Sequence, residues 1–168
     1  MGLYRPEFEH SACGVGVVAN TKGLKSHDVV ENGFEVLVNL AHRGAAGSDP
    51  ETGDGAGMLL QMPDAFLRRE TGNLGMELPE SGEYAVGMVF LPQDPGQRQV
   101  CEKIFEDIVT DEGQTVLGWR DVPVDPSAIG SDARDVQPYI RQIFVGKGPQ
   151  IVDEAHLARK LYVIRKRI

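Results

Sequence analysis

Cysteine is scarce in this chain of 168 residues, which contains Cys13 and Cys101 and no others. The two form neither a C-x-x-C pair nor a metal-ligand spacing, which argues against a disulfide framework and against a cysteine metal site. Two cysteines so far apart in sequence fit a reducing compartment, where thiols stay free. We therefore predict a cytoplasmic protein.

Long apolar runs and an excess of positive charge are also missing. No run approaches the roughly 20 apolar residues that span a bilayer, and residues 1–12 lack the apolar segment of a secretory signal. The chain has 17 Lys and Arg against 25 Asp and Glu, a net charge of −8, which disfavours nucleic acid as a partner. Residues 153–168 are an exception with five Lys and Arg, and we interpret these as a solvated helix face.

Glycine, by contrast, is abundant, with 20 residues of which five lie between Gly44 and Gly57. Connections longer than about 12–15 residues in compact domains are usually functional or disordered, and the apolar run that follows this one favours a functional loop. Its acidic residues Asp49, Glu51 and Asp54 do not follow an EF-hand spacing, so we interpret them as residues that set turns.

Hydrophobic periodicity predicts a mixed chain in which strands and helices do not alternate strictly, which indicates the α+β class. Gly33 lies inside a predicted helix, where we expect it to mark close packing. The last helix stops in mid-pattern at Ile168, so we expect a fragment of a longer protein. The predicted strands cover residues 13–20, 58–62, 84–91, 114–120 and 138–145, and the predicted helices cover 27–41, 64–70, 97–111 and 153–168.

Cys13 begins a glycine-spaced apolar run, Cys13-Gly14-Val15-Gly16-Val17-Val18, that is typical of a strand with Val15 and Val17 buried on one face. If residues 1–12 were removed, the thiol and a free α-amine would belong to the same residue, and an amine is one known base for a nucleophilic side chain. Alternatively, Cys13 is a small buried residue, or it pairs with His42 as a nucleophile and base.

Two further residues have simpler interpretations. His42 follows a predicted helix, and we expect it to contact the carbonyls at the carboxyl end of that helix. Cys101 lies on the apolar face of another predicted helix, so we expect it to pack in the core.

Three segments in this order carry a family resemblance: Cys13-Gly14-Val15-Gly16, His42-Arg43-Gly44-Ala45 and Thr52-Gly53-Asp54-Gly55-Ala56-Gly57. Together they resemble the start of the glutamate synthase large-chain family, a class II glutamine amidotransferase domain of the N-terminal-nucleophile fold. The resemblance extends through the basic segment that ends at Arg167. It implies an αββα sandwich with antiparallel sheets, truncated in this chain, and two parts: a leader over residues 1–12 and the amino-terminal part of the amidotransferase domain over 13–168.

The resemblance also implies a chemistry for these residues. After loss of the leader, the Cys13 thiolate attacks the side-chain amide of L-glutamine, with its own α-amine as the base, and forms a thioester. Arg43 matches the arginine that lines the glutamine site, and Gly44 matches its neighbour, where a side chain would crowd the substrate. The ammonia released is then added to 2-oxoglutarate by a synthase domain.

The partners implied for a full-length enzyme are the remainder of the large chain and a small electron-transfer subunit. The cofactors implied for it are FMN and an iron–sulfur cluster, and no cofactor or metal is expected in this segment. The family's Asn-Gly pair of the oxyanion hole and its Thr-Arg-Phe-Ser segment have no match here, so we expect the chain alone to be inactive. The alternatives are a non-catalytic binding module and one half of a split amidotransferase.

Overall fold

The computed structural model describes residues 14–44, 49, 51–53 and 55–168, which fall into two compact units. The first unit comprises the described part of residues 1–62 together with Ser127–Asp135, and the second comprises Pro63–Pro126 and Val136–Ile168. In chain order the longer elements are α1 (His27–Asn39), α2 (Asp64–Gly72), β1 (Tyr84–Leu91), α3 (Pro95–Asp111), β2 (Thr115–Asp121), α4 (Ser131–Asp135), β3 (Tyr139–Gly146) and α5 (Glu154–Arg167).

The second unit is built on a three-stranded antiparallel sheet in the order β1–β3–β2. The central strand β3 is paired on both sides, and Phe144 within it is fully buried. All three strands lie where the sequence predicts them, because each is an apolar run bounded by proline, glycine or acidic residues. The chain is therefore a mixed helix and strand protein with a small antiparallel sheet.

Helices pack on this sheet through two apolar clusters. One joins Val89 and Val145 of the sheet to Val109 of α3 and Ile164 of α5, and Cys101 packs against it partly buried, which confirms its structural interpretation. The other joins Leu67 of α2 to Tyr84 and Phe144. Burial of apolar area of this kind is the main stabilising contribution to such a unit.

Polar side chains reinforce the same packing. The Tyr84 hydroxyl donates to Asp64 Oδ1 at 2.8 Å and so links β1 to the start of α2. Burial, and then the bond to Asp64, raise the pKa of Tyr84 to about 12. At the other end of the unit, Glu112 accepts from Lys160 and Arg167, both at 2.7 Å. Part of the basic segment predicted to be solvated therefore holds α5 to the end of α3.

The first unit departs from the sequence prediction. Residues 14–20 and 58–62, both predicted as strands, have no strand pairing, and the Val15 and Val17 side chains are 85% and 87% exposed. The physical reason is that a strand needs a hydrogen-bonded neighbour, and neither segment has one among the described residues. The prediction of buried strands is therefore wrong for these residues, while Cys13 itself lies outside the described part of the chain.

Two smaller differences concern helices. Residues 122–135, for which the sequence predicts neither a strand nor a helix, contain a 3₁₀ turn at Pro126–Ala128 and the short helix α4, which are too brief to leave a periodic pattern. The helix predicted over 27–41 ends at Asn39 and continues as a 3₁₀ turn at Ala41–Arg43. Across the described residues, no helix combines the length and apolar character needed to cross a bilayer.

Candidate active site

Helix α1 lies close against the two segments of the first unit that lack strand pairing, residues 14–20 and 58–62. A Cβ at Gly33 would lie 2.6 Å from Met58 Sδ, so the prediction of close packing at Gly33 is confirmed. At Gly16 a Cβ would collide with the Val36 side chain. The Val36 contact leaves no space for a larger residue at Gly16, whereas a larger residue at Gly33 would require the end of the Met58 side chain to move.

The turn that follows α1 places Arg43 beside the residue that is bonded to Cys13. A Cβ at Gly14 would lie 3.2 Å from Arg43 Cβ and 2.9 Å from Leu40 Cδ2. The turn forms because Arg43 N donates to Leu40 O at 2.8 Å, which tightens the chain after the helix ends. The exposed Arg43 side chain thus starts next to Gly14, although the Cys13 side chain lies outside the described residues.

His42 lies in the same turn and has a local partner. Its Nδ1 is 2.9 Å from the Asn39 carbonyl oxygen in the last turn of α1. This confirms the interpretation of His42 as a residue that contacts the carboxyl end of the helix. The alternative of a Cys13–His42 pair concerns a residue that the structure does not describe.

Gly44 closes the turn by donating its N–H to Ala41 O at 3.1 Å. Its φ of −76° and ψ of 157° are extended angles that any residue adopts. The backbone conformation therefore does not require glycine at this position.

Asp49 and Thr52 form a local turn within the glycine-rich segment. The Asp49 carboxylate accepts from Glu51 N at 3.1 Å and from Thr52 Oγ1 at 3.0 Å, which confirms that Asp49 sets a turn. Asp54 lies outside the described residues. Within the described ranges, no group of three or more His, Cys, Asp and Glu side chains is arranged to hold a metal ion.

The loop is also bound to a distant segment, which the sequence did not reveal. Gly130 N donates to Thr52 Oγ1 at 3.1 Å across 78 residues of chain. A Cβ at Gly130 would collide with the Asp49 carboxylate, so this contact too depends on glycine. An isolated Gly130 in a polar connector carries no sequence signal for a partner so far away.

These positions coincide with a family match. The model of the class II glutamine amidotransferases matches residues 13–168, which is nearly the whole chain. The chain belongs to the class II glutamine amidotransferases. The family's match begins at Cys13 and includes the turn that carries Arg43 and Gly44.

Curated relatives of this amidotransferase chain include several glutamate synthases. It is 52% identical to the glutamate synthase [NADPH] large chain of Bacillus subtilis over 165 residues, which cover 98% of this chain and 11% of the relative. It is 43% identical to glutamate synthase [NADH] of Saccharomyces cerevisiae, covering 98% of this chain and 8% of the relative. It is 40% identical to ferredoxin-dependent glutamate synthase 2 of Synechocystis, covering 94% of this chain and 10% of the relative.

The coverage is as informative as the identity. The amidotransferase chain spans about a tenth of the length of these curated relatives. The names of the three relatives differ, since one contains NADPH, one NADH and one ferredoxin-dependent, although each relative is at least 40% identical to this chain. The region they share with this chain is therefore common to glutamate synthases that differ in this part of the name.

Proposed function

We propose that this chain is the glutaminase part of a glutamate synthase, with Cys13 as the nucleophile and Arg43 and Gly44 at the glutamine site. The observation that carries the proposal is the closeness of Arg43 to Gly14, because it places the Cβ of an arginine next to the residue that follows Cys13. Glutamine carries hydrogen-bond acceptors, and the guanidinium of an arginine that lines its site can donate to them.

The proposed reaction uses the thiol and the α-amine of Cys13. The amine accepts the thiol proton, and the sulfur attacks the side-chain carbonyl carbon of glutamine. The carbon–nitrogen bond then breaks, the ammonium group returns a proton to the leaving nitrogen, and ammonia departs from a γ-glutamyl thioester. A water molecule gives a proton to the amine and attacks the thioester, which releases glutamate and restores the thiol. A peptide nitrogen cannot act as this base, so the mechanism requires loss of residues 1–12.

The proposed fold is the αββα sandwich of the N-terminal-nucleophile family, of which the three-stranded sheet is one part. Met88 and Phe90 of β1 support this, because their side chains are 52% and 65% exposed on one face of the sheet. Two large apolar side chains exposed beyond the part of this face that α2 covers are typical of a surface that a further layer covers. The strands β1 and β2 each have one edge without a sheet partner in the described chain.

The proposed partners lie in a longer protein, as the relatives' lengths suggest. In that setting the remainder of the large chain receives the ammonia and adds it to 2-oxoglutarate, with an electron-transfer subunit as a further partner. FMN and an iron–sulfur cluster belong to the same proposal. This chain does not fit the cluster, since Cys101 packs against the core and an iron–sulfur cluster takes about four protein ligands. The ligands would therefore come from outside these residues.

Covalent labelling tests the proposed function directly. The protein for this test is a chimaera in which this chain replaces the matching 165 residues of the Bacillus subtilis large chain. We expect the glutamine analogue diazo-oxo-norleucine to label Cys13 once, with residues 1–12 already lost, as measured by intact mass and peptide mapping. Absence of the label in a folded chimaera would overturn the proposal and favour a non-catalytic binding module.

Substitution of Arg43 tests the glutamine site. We expect Arg43→Ala in the chimaera to raise KM for glutamine about 10- to 100-fold, because a charge-assisted hydrogen bond contributes about 1.5–3 kcal/mol. Steady-state ammonia release measures this. Arg43→Lys keeps the charge but loses the planar guanidinium, so its KM for glutamine should lie between those of the unsubstituted chimaera and Arg43→Ala. The matched control is Lys22→Ala, which removes an exposed cation of the same unit. Equal KM values for the Arg43→Ala and control variants would exclude Arg43 from the site.

A further inference from the structure

Asp49, Thr52 and the backbone of Gly130 form a hydrogen-bonded tether between two parts of the first unit that are distant in sequence. Asp49 holds Thr52 through two contacts, from Thr52 Oγ1 to the Asp49 carboxylate at 3.0 Å and from Thr52 N to Asp49 O at 3.1 Å. The Thr52 hydroxyl in turn accepts the N–H of Gly130 at 3.1 Å. A hydroxyl that donates on one side and accepts on the other cannot be replaced by an apolar group of the same shape without losing both bonds.

The anchor on the other side of the tether is itself held in place. Gly130 is buried, and its carbonyl accepts Arg134 N at 3.1 Å. Arg134 Nη2 also donates to Ile129 O at 2.9 Å. The backbone at Gly130 is thus fixed by α4, and a side chain there would meet the Asp49 carboxylate. A loop bound to this point is bound to a structured element.

The composition of the loop explains why a polar tether is needed. Residues 44–57 contain no Val, Leu, Ile, Met, Phe, Tyr or Trp, so no large apolar side chain can anchor them in a core. On one side of the tether, four residues separate Asp49 from Gly44, and on the other side Met58 packs on Gly33. The tether divides a long connection into two short ones, which reduces the conformations open to each.

We infer that Asp49, Thr52 and Gly130 are positioning residues for the glutamine site, because their contacts fix the chain at Asp49, five residues after Gly44. This inference rests on the proposed function. The three residues touch no reacting atom in this scheme and act only through the loop. Their loss should therefore weaken glutamine binding equally in the ground state and in the transition state, which raises KM and leaves kcat nearly unchanged.

The test compares Thr52→Val with Thr52→Ser in the chimaera. Valine keeps the shape of threonine and removes the hydroxyl, whereas serine keeps the hydroxyl. We expect Thr52→Val to raise KM for glutamine about 3- to 10-fold with kcat within about twofold, and Thr52→Ser to restore KM. Thr110→Val is the matched control, since the Thr110 hydroxyl donates only to Glu106 O in its own helix.

Hydrogen exchange separates the tether from the activity. We expect Thr52→Val to speed exchange of the peptide that contains Gly130, and Thr52→Ser to leave it protected. Faster exchange with unchanged KM, or unchanged exchange, would overturn the positioning role while the proposed function stands. If the unsubstituted chimaera releases no ammonia from glutamine, the proposed function fails and the positioning role fails with it, whatever the exchange shows about the tether.

Discussion

Replacing Cys13 with alanine should abolish glutamine-dependent ammonia release by the chimaera, by at least about a thousandfold. The reason is that the proposed path runs through a bond to the Cys13 sulfur, and alanine offers no atom that can form it. Glutamate formation from 2-oxoglutarate and added ammonium salts should persist, because this route does not use the thiol. The two activities are measured on one preparation, so a folding defect would be seen as loss of both.

Cys101 provides the matched control for this experiment. It is the other cysteine of the chain, and it packs partly buried against the apolar cluster of the second unit. Cys101→Ala should lower the melting temperature slightly through lost packing and leave ammonia release from glutamine unchanged. If Cys13→Ala retained ammonia release from glutamine and Cys101→Ala lost it, the assignment of Cys13 as the nucleophile would be wrong.

A single residue in front of Cys13 should have nearly as large an effect. Two chimaeras are compared: in one, residues 2–12 are deleted so that removal of Met1 leaves Cys13 first, and in the other Ala12 is retained before Cys13. We expect turnover of glutamine by the first and none by the second. In the second chimaera the nitrogen of Cys13 is an amide, which cannot accept the thiol proton.

The pH dependence of the active form tests the same base. A free α-amine has a pKa of about 7.7–8.0 in model compounds, and only its neutral form can take up a proton. Ammonia release at low glutamine concentration should therefore rise with pH through this range. Mass spectrometry of the amino-terminal peptide verifies which residue comes first in each preparation. Normal turnover by the chimaera that retains Ala12 would show that another group acts as the base.

The second unit could be predicted almost completely from the sequence. Its strands are apolar runs with clear ends, and its long helices have apolar faces and acidic caps, as at Asp94 and Asp153. These signals lie within each element, so they can be recognised without knowing which other element it packs against. The structure of the first unit is less predictable from the sequence. Residues 14–20 have the composition of a buried strand, but such a segment forms a strand only if a neighbouring strand pairs with it.

The candidate site divides in the same way. Arg43 and His42 could be placed from the sequence because they follow directly on the end of a predicted helix. The closeness of Gly14 to Arg43 depends on how α1 lies on an extended segment, and no local pattern encodes it. The contact from Thr52 to Gly130 was unpredictable for the same reason, since its two ends are 78 residues apart.

That separation also determines when the first unit can be completed during synthesis. Translation proceeds at about 5–20 residues per second, so Gly130 follows Thr52 out of the ribosome by roughly 4–16 seconds. During this interval the nascent glycine-rich loop has no anchor, while the segment around Cys13 has already been made. Any maturation of Cys13 that needs the anchored loop must therefore wait until the segment containing α4 has emerged.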